Sequence, residues 1–376
     1  MTDPRSFATL VCVLTLSGFL FSTATGKDSA QAGGPDVASE SQERGAAAID
    51  ELIDGLDQGN LQEAFRLLRS DYINRDDLDD LEINRAALQG MLERLDFGAM
   101  ILTESSLSER DSPFGFHSET ITDSTAYIRF GRFREGEIAE LDEALAGFAA
   151  DEALSTLLLD LRSPQSQADF AIAAEILSRF RPPNELLFKI RRPGNERATL
   201  FISKAKDANW SGDTIILVDR ETGNVAEIIA AVLRKETGCL VIGEPTPGLT
   251  VEYRDVPIGS DRILRYAIAE VILEDDSSLF RKGITPDLIT HTPPAVKRRI
   301  FSSSQEGTPL AESLFLRHRP RLNEAALVAR IDPEIDYYLL RSEGKPTQWD
   351  KPVEQDRVLR QAIDLLTTTG HLDGGQ

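Results

Sequence analysis

The stretch TIILVDRETGNVAEIIAAVLRKETGCLVIGEPTPGL, which runs from Thr214 to Leu249, decides the fold of this protein. Its two short apolar runs, TIILV and CLVIG, are typical of strands that are buried on both faces. The segment NVAEIIAAVLRKET between them has the apolar spacing of a helix. The stretch therefore predicts a strand, a turn, a helix and a second strand. Thr222, Gly223 and Asn224 occupy the predicted turn.

The residues on the amino-terminal side of this stretch repeat the alternation of strands and helices. TAYIRFGRF and ALSTLLLDLR have strand patterns, and Glu137–Ala149 and Asp169–Phe180 have helical patterns. ELLFKIRRPGNERATLFISK predicts two strands around a Pro-Gly-Asn turn. Alternating elements of this kind predict an α/β domain that is built in layers.

The amino terminus has the order of a secretory signal peptide. Arg5 precedes the apolar run FATLVCVLTLSGFLF, and the small residues STATG follow it. We predict a signal peptide over residues 1–26, with cleavage near Ala24 or Gly26, and export to the periplasm or the medium. An uncleaved segment that anchors the protein in a membrane is the alternative. If cleavage occurs, Cys239 is the last cysteine left, and no disulfide can form within the chain.

The rest of the chain divides into four parts. Residues 27–45 are rich in Ser, Ala, Gly and Gln without apolar periodicity, which predicts a flexible linker. Residues 46–103 carry amphipathic helical patterns, whose apolar sides need a partner surface. The main domain covers 104–293, and residues 294–376 form an extension. The extension has helical patterns at Asn323–Ala329 and Val353–Thr367, and we expect the second to pack onto the main domain.

The acidity of the chain excludes one large class of partners. The 376 residues include 62 Asp and Glu against 41 Lys and Arg, a formal net charge of -21. Such a surface repels phosphate backbones, so we predict no binding of nucleic acid. The sequence has no His-Glu-x-x-His or Cys-x-x-Cys spacing, and we predict no metal and no cofactor. The histidines are scattered, at His117, His291, His318 and His371.

Several segments resemble, in order along the chain, the carboxyl-terminal processing or tail-specific serine proteases. AALQGMLERLDFG at Ala86–Gly98 resembles the helical lead-in of that family, and LLLDLR at Leu157–Arg162 resembles the strand before its Asn-x-Gly-Gly turn. ILVDRETGNVAEIIAAVL resembles the nucleophile segment, VIGEPTPG the stretch before a Gly-Lys-Gly, and RKGITPDLI the close of the domain. The resemblance implies a crotonase-like α/β core. Too few residues lie between Gly98 and Ser124 for the family's PDZ module, so we predict that it is missing.

The departures from the family pattern fall on the catalytic positions. Alignment on Glu227 places Asn224 where the family has its nucleophilic serine. The same alignment places Leu249 where the family has its lysine base. The Gly-Gly of the oxyanion turn becomes Ser166-Gln167.

These replacements remove the chemistry of a serine–lysine dyad. The nitrogen lone pair of the Asn224 amide is delocalised, and the Leu249 side chain cannot accept a proton. Val225 keeps a backbone N–H at the helix start, which would be a remnant of the oxyanion site. A substitute pair of Thr222 with Lys235 is unfavourable, because most of a helix separates the two residues. We expect Thr222 to cap that helix, with Asn224 as the rival cap.

The sequence therefore predicts no catalytic residue. We expect an exported, inactive relative of these proteases whose former cleft binds a peptide or unfolded polypeptide, or an apolar small molecule. An active serine-type peptidase with other catalytic residues is the alternative, and a structural role as a homo-oligomer is a third hypothesis. Glu227 is expected to be structural rather than solvent-facing. The predicted cleft consists of Thr222, Gly223, Asn224 and Leu249, with Ser166, Gln167 and Val225 as the oxyanion remnant.

Overall fold

A computed structural model describes residues 52–74, 77–103, 105–106, 112–164, 169–195, 197–207, 209–314, 328, 334–345 and 354–373. The chain divides into two compact units, Met1–Arg85 and Ala86–Gln376. The predicted signal peptide and linker lie outside the described residues, as does the helix predicted at Asn323–Ala329 except for Val328. These three assignments remain predictions.

The helices and strands are bounded as follows. The α-helices that lie wholly within the described residues are α1 (Gln58–Asp71), α2 (Asp80–Leu95), α3 (Glu135–Ala149), α4 (Phe170–Leu177), α5 (Asn224–Thr237), α6 (Pro294–Gln305), α7 (Ile335–Ser342) and α8 (Arg357–Asp373). Short 3-10 helices cover Asp96–Gly98 and Leu310–Ser313. The strands are β1 (Ala99–Thr103), β2 (His117–Thr122), β3 (Thr125–Arg129), β4 (Thr156–Asp160), β5 (Leu186–Arg191), β6 (Thr199–Ile202), β7 (Asp213–Val218), β8 (Leu240–Gly243), β9 (Val251–Pro257), β10 (Arg262–Ile272) and β11 (Leu288–Ile289).

The strands form two sheets. The first has the order β11-β8-β7-β4-β3-β2, and its neighbours are parallel except for β2 and β3. In the second sheet β10 pairs with β9, β1 and β5, β5 pairs with β6, and every pair is antiparallel. The unit predicted at Thr214–Gly243 is confirmed as β7, α5 and β8, and the layered α/β fold is confirmed with it.

Both faces of the central strands β4 and β7 are buried, which explains their continuous apolar runs. Successive side chains of a strand point to opposite faces. Leu157 and Leu159 on β4 therefore join one core with α3, α4, α5 and the second sheet. Leu158 points the other way and packs in a second core with α6 and α8. Because helices cover the two faces of the sheet, they do not cover its edge. The loops at the carboxyl ends of β4, β7 and β8 can therefore form a site there.

The last helix packs onto the main domain, as expected. Val358, Leu359, Ala362 and Ile363 of α8 are buried in the second core. The helix begins at Arg357 rather than at the predicted Val353. The extension is thus part of the same hydrophobic structure as the parallel sheet.

The amphipathic helices α1 and α2 carry exposed apolar side chains. Neither helix contains a buried residue. Phe65 on α1 is 54% exposed and Met91 on α2 is 55% exposed. Amphipathic spacing defines an apolar side but does not supply a partner for it, so the partner surface of these helices stays a prediction. No helix among the described residues is long and apolar enough to cross a lipid bilayer.

Glu175 on α4 makes the stability of this fold depend on pH. Burial alone would raise the pKa of Glu175, but hydrogen bonds and charges from Lys206 and Lys204 outweigh it and lower the pKa from 4.5 to about 2. Because the folded pKa lies below the unfolded one, this contribution is present above pH 4.5 and is lost as the pH falls towards 2. We expect the difference between the unfolding free energies of the parent and of Glu175→Gln, both measured in urea, to become smaller as the pH falls from 4.5 to about 2. A difference that stays constant would contradict this assignment.

Candidate functional site

Three segments at the carboxyl edge of the parallel sheet contain the predicted site residues or lie directly beside them in the sequence. They are the β4 loop (Leu161–Pro164), the β7 turn (Asp219–Gly223) and the β8 loop (Glu244–Thr250). Ser166 and Gln167, the predicted oxyanion positions, lie outside the described residues. Their assignment stays a prediction.

Asn224 stands at the start of α5 in a backbone conformation that few side chains tolerate. Its φ is 47°, in the left-handed region. Asn enters this region more readily than other non-glycine residues because its short polar side chain can interact locally. The side chain is only 5% exposed, and its Oδ1 has no hydrogen-bond partner among the described residues.

The structure brings Leu249 next to this turn. A Cβ atom placed on Gly223 would lie 3.5 Å from Leu249 Cδ1 and 3.8 Å from Leu249 Cβ. Thr222 and Asn224 flank Gly223, so the four residues of the predicted cleft lie together. Val225 follows as the second residue of α5, where backbone N–H groups have no acceptor within the helix.

Glu227 on α5 fixes the β8 loop. Its carboxylate is fully buried and accepts hydrogen bonds from Thr246 Oγ1 at 2.5 Å, Gly248 N at 2.6 Å and Leu249 N at 2.6 Å. Burial raises the pKa of this carboxyl, and the hydrogen bonds that it accepts oppose the rise. The expected structural role is confirmed. Glu227 therefore determines where the backbone places the Leu249 side chain.

Gly248 is required in the β8 loop for steric reasons. Its φ is 78°, and a Cβ atom there would lie 2.7 Å from Gly283 N and 2.7 Å from Leu279 O. Real Cβ atoms do not approach backbone this closely, so the loop can pack against residues 279–284 only with glycine at this position. The same close packing holds Leu249 in place.

Thr222 does not cap α5, and that prediction is wrong. The residue before the helix is Gly223, and no side chain caps it. The Thr222 hydroxyl instead accepts from Asp219 N at 2.9 Å and donates to Leu161 O at 3.0 Å. Asn224 is not a cap either, because it is the first residue of the helix. Thr222 thus connects the β7 turn to the β4 loop.

Lys235 lies far from Thr222, as expected. The thirteen-residue separation along a helix corresponds to roughly 20 Å at about 1.5 Å per residue. The Lys235 ammonium pairs with Asp275 at 2.9 Å. A substitute dyad of Thr222 and Lys235 does not form.

Two further polar side chains of the site have no partner among the described residues. Ser163 in the β4 loop and Thr250 in the β8 loop are both fully buried, and neither hydroxyl is hydrogen-bonded there. Together with Asn224 Oδ1, one unpartnered polar atom stands on or beside each of the three segments. Buried polar groups without partners are costly, which is why native proteins contain few of them. Neither Ser163 nor Thr250 is among the site residues predicted from the sequence.

An open cleft of about 520 Å³ lies beside the β7 turn. Its lining includes Asp219, Glu221 and Glu244. Glu244 pairs with Arg220 at 3.0 Å and with His291 at 2.9 Å. Within the described ranges, no three His, Cys, Asp or Glu side chains are grouped so that they could hold a metal ion.

A group of buried charges beneath the site was missed by sequence reasoning. The Arg162 guanidinium bonds both carboxylate oxygens of Asp160, at 2.9 and 2.6 Å, and both of Asp356, at 2.9 and 2.7 Å. Burial alone would raise the pKa of Asp356, but the charge and hydrogen bonds of Arg162 outweigh it and lower that pKa. Lys297 on α6 is buried against the same loops.

Comparison with known proteins identifies the segment that carries the site. Residues 124–290 match the model of peptidase family S41. We call this segment the S41 domain, after the family model that it matches. The resemblance seen in the motifs is confirmed for it. A carboxy-terminal-processing protease of Bartonella bacilliformis is 26% identical over 234 residues, which cover 58% of this chain and 52% of that protein. The chain thus spans about half the length of this curated relative.

Solved structures of low sequence identity also match the chain. A photosystem II D1 C-terminal processing protease is 17% identical, with a TM-score of 0.40 over 57% of this chain and 53% of that one. A lipoprotein from Streptococcus agalactiae is 15% identical, with a TM-score of 0.40 over 55% of this chain and 76% of that one.

The S41 domain contains the β4 loop, the β7 turn and the β8 loop, but not all of the residues that support them. Lys297 and Asp356 lie beyond its end at residue 290. No motif in the sequence indicated them. The sequence LLLDLR did contain a signal that Arg162 is paired. A charged residue at the end of a strand that is buried on both faces is rarely buried unless an opposite charge pairs with it.

Proposed function

We propose that this protein is an exported, catalytically inactive relative of the tail-specific proteases, and that its cleft binds a segment of polypeptide. One observation carries the proposal. Leu249 packs against Gly223 directly beside Asn224, so a carboxamide and an apolar group stand together at the positions that the resemblance gives to the nucleophile and the base. Neither group can do the chemistry of peptide hydrolysis.

The hydroxyls near Asn224 do not supply a substitute nucleophile. The Thr222 hydroxyl is bonded to backbone, and the Thr246 hydroxyl donates to Glu227 and accepts from Ile284 N at 2.8 Å. Ser163 and Thr250 have no amine as a hydrogen-bond partner among the described residues. A serine or threonine nucleophile needs an adjacent base, so the alternative of an active peptidase has no support in this part of the chain.

The unpartnered polar atoms favour a peptide over an apolar ligand. Asn224 Oδ1 and the hydroxyls of Ser163 and Thr250 are buried without a partner among the described residues, and each such group costs about 1–3 kcal/mol. An apolar molecule in the cleft would not relieve that cost. A peptide backbone offers an N–H donor and a C=O acceptor at every residue. Asn224 Oδ1 can accept from such an N–H, and a hydroxyl can donate to such a carbonyl.

We expect the mature protein to bind a fluorescently labelled, reduced and carboxymethylated α-lactalbumin without cleaving it. Asn224→Gly removes the side chain but keeps the left-handed backbone, and should weaken binding roughly tenfold, the effect of losing about one hydrogen bond of 1.4 kcal/mol. Fluorescence anisotropy measures the binding, and gel electrophoresis of the same samples measures cleavage.

Asn184→Gly is the matched control for that variant. Asn184 also has a positive φ, 70°, but it is exposed and lies in the loop before β5. It should leave the affinity unchanged. Cleavage that a serine-directed inhibitor blocks, and that Asn224→Gly abolishes, would overturn the proposal. Binding of an apolar dye but not of the unfolded protein would favour the small-molecule alternative.

An assembly role remains the third hypothesis. The exposed apolar side chains of α1, such as Phe65 and Leu68, support it, since a second copy of the chain would cover them.

A further inference from the structure

Lys297 on α6 is a fully buried lysine in the extension, a part of the chain for which no function was predicted. Its ammonium donates to Arg162 O at 2.7 Å, to Glu221 Oε2 at 2.7 Å and to the Asp219 carboxylate. A lysine ammonium has three donors, so each of them has an acceptor here. Buried lysines are rare unless they are paired in this way.

The three acceptors belong to two different segments of the candidate site. Arg162 O is part of the β4 loop, directly before Ser163. Asp219 and Glu221 are part of the β7 turn, directly before Asn224. Lys297 therefore bridges the two segments that carry two of the unpartnered polar atoms.

The β7 turn transmits this contact to Asn224 through backbone hydrogen bonds. Asp219 Oδ1 accepts from Glu221 N at 2.9 Å, and Asp219 O accepts from Thr222 N at 3.0 Å. The Thr222 hydroxyl closes the turn on Asp219 N. Because the turn is held at several points, a shift of the Asp219 carboxylate moves the backbone that leads into Asn224.

The extension supports the β4 loop in the same way. Asp356, directly before α8, holds the Arg162 guanidinium, and Thr292 Oγ1 donates to Asp356 at 2.9 Å. The Phe301 ring of α6 lies 5.5 Å from Arg162 Cζ and 5.9 Å from Lys297 Nζ. One aromatic ring thus packs beneath both cations.

We propose that Lys297 is a positioning residue for the peptide site, and that it fixes the β4 loop and the β7 turn relative to one another. That the site binds a peptide rests on the proposed function, whereas the role of Lys297 in positioning the two segments does not. The extension 294–376 then contributes to the geometry of the site, although it lies outside the S41 domain.

Two variants separate positioning from simple charge compensation. Lys297→Met removes the three donors and leaves Asp219 as a buried charge without its cation. Lys297→Met combined with Asp219→Asn removes that charge as well. Lys235→Met, at the other end of α5, is the matched control because Lys235 is 31% exposed and pairs with Asp275 away from the site.

Three measurements are made on each full-length variant: the melting temperature, the affinity for the labelled α-lactalbumin by anisotropy, and amide hydrogen exchange at Arg162 and Thr222. We expect Lys297→Met to lower the melting temperature, to weaken binding roughly tenfold and to speed exchange at both amides. The double variant should recover most of the melting temperature but neither the affinity nor the protection. Lys235→Met should change none of the three.

The double variant decides the proposal, even if Lys297→Met alone does not fold. Affinity and protection that return together with the melting temperature would show that Lys297 only compensates a buried charge. If the parent protein binds no polypeptide, the proposed function fails, and the exchange at Arg162 and Thr222 still tests whether Lys297 holds the two segments.

Discussion

Replacing Arg162 by Ala is expected to lower the free energy of unfolding by about 3–5 kcal/mol, the range found when a buried ion pair loses one partner. The Arg162 side chain is 1% exposed, and those of Asp160 and Asp356 are 0% exposed. The substitution leaves two buried carboxylates without their cation. It also separates the end of β4 from the segment that leads into α8. Urea unfolding followed by circular dichroism measures the change.

Arg191→Ala is the control for Arg162→Ala. The Arg191 side chain is 55% exposed and pairs with Glu270 at the surface, so its loss should cost no more than about 1 kcal/mol. Combining Arg162→Met with Asp160→Asn and Asp356→Asn should recover much of the lost stability, since no uncompensated charge then remains. An Arg162→Ala variant as stable as Arg191→Ala would show that the buried network does not hold the fold.

Replacing Glu227 by Ala is expected to cost about 3 kcal/mol of unfolding free energy. The substitution leaves the Thr246 hydroxyl and the N–H groups of Gly248 and Leu249 without their acceptor. Each unsatisfied buried donor costs about 1–3 kcal/mol. Removing a carboxylate whose pKa is raised by burial recovers part of this cost, which places the expected loss near the lower bound of the sum. Urea unfolding measures it.

Glu236→Ala is the matched control, because Glu236 lies on the same helix and pairs with Arg181 at 3.3 Å away from the β8 loop. It should change the free energy of unfolding by less than about 1 kcal/mol. Glu227→Gln, which keeps one acceptor oxygen, should fall between the parent and Glu227→Ala. Equal stability of Glu227→Ala and Glu236→Ala would contradict the anchoring role.

Much of the fold followed from the sequence because the relevant signals are local. The alternating strands and helices of the main domain and the hairpin of β5 and β6 appear where apolar periodicity and the Pro-Gly-Asn turn predicted them. The proximity of Asn224 and Leu249 came from resemblance to a family, since nothing in the spacing of two residues reveals that their loops meet. Thr222 was assigned wrongly because a hydroxyl before a helix is normally a cap, and here a distant carbonyl, Leu161 O, binds it instead.

By itself, the sequence determined an α/β core, because hydrophobic spacing acts at the level of the residue and its neighbours. The resemblance to a family added the prediction that Asn224 and Leu249 stand at the positions of the nucleophile and the base. Only the tertiary structure decided what holds the site. Arg162 meets Asp356 across 194 positions, and Lys297 meets Arg162 across 135. A charged side chain is stable in a core only when an opposite charge lies beside it. The fold of the chain, and not the spacing of residues in the sequence, determines which charges lie side by side. The same reason applies to α1 and α2, which contain no buried residue, since a pattern can define an apolar side without providing the surface that buries it.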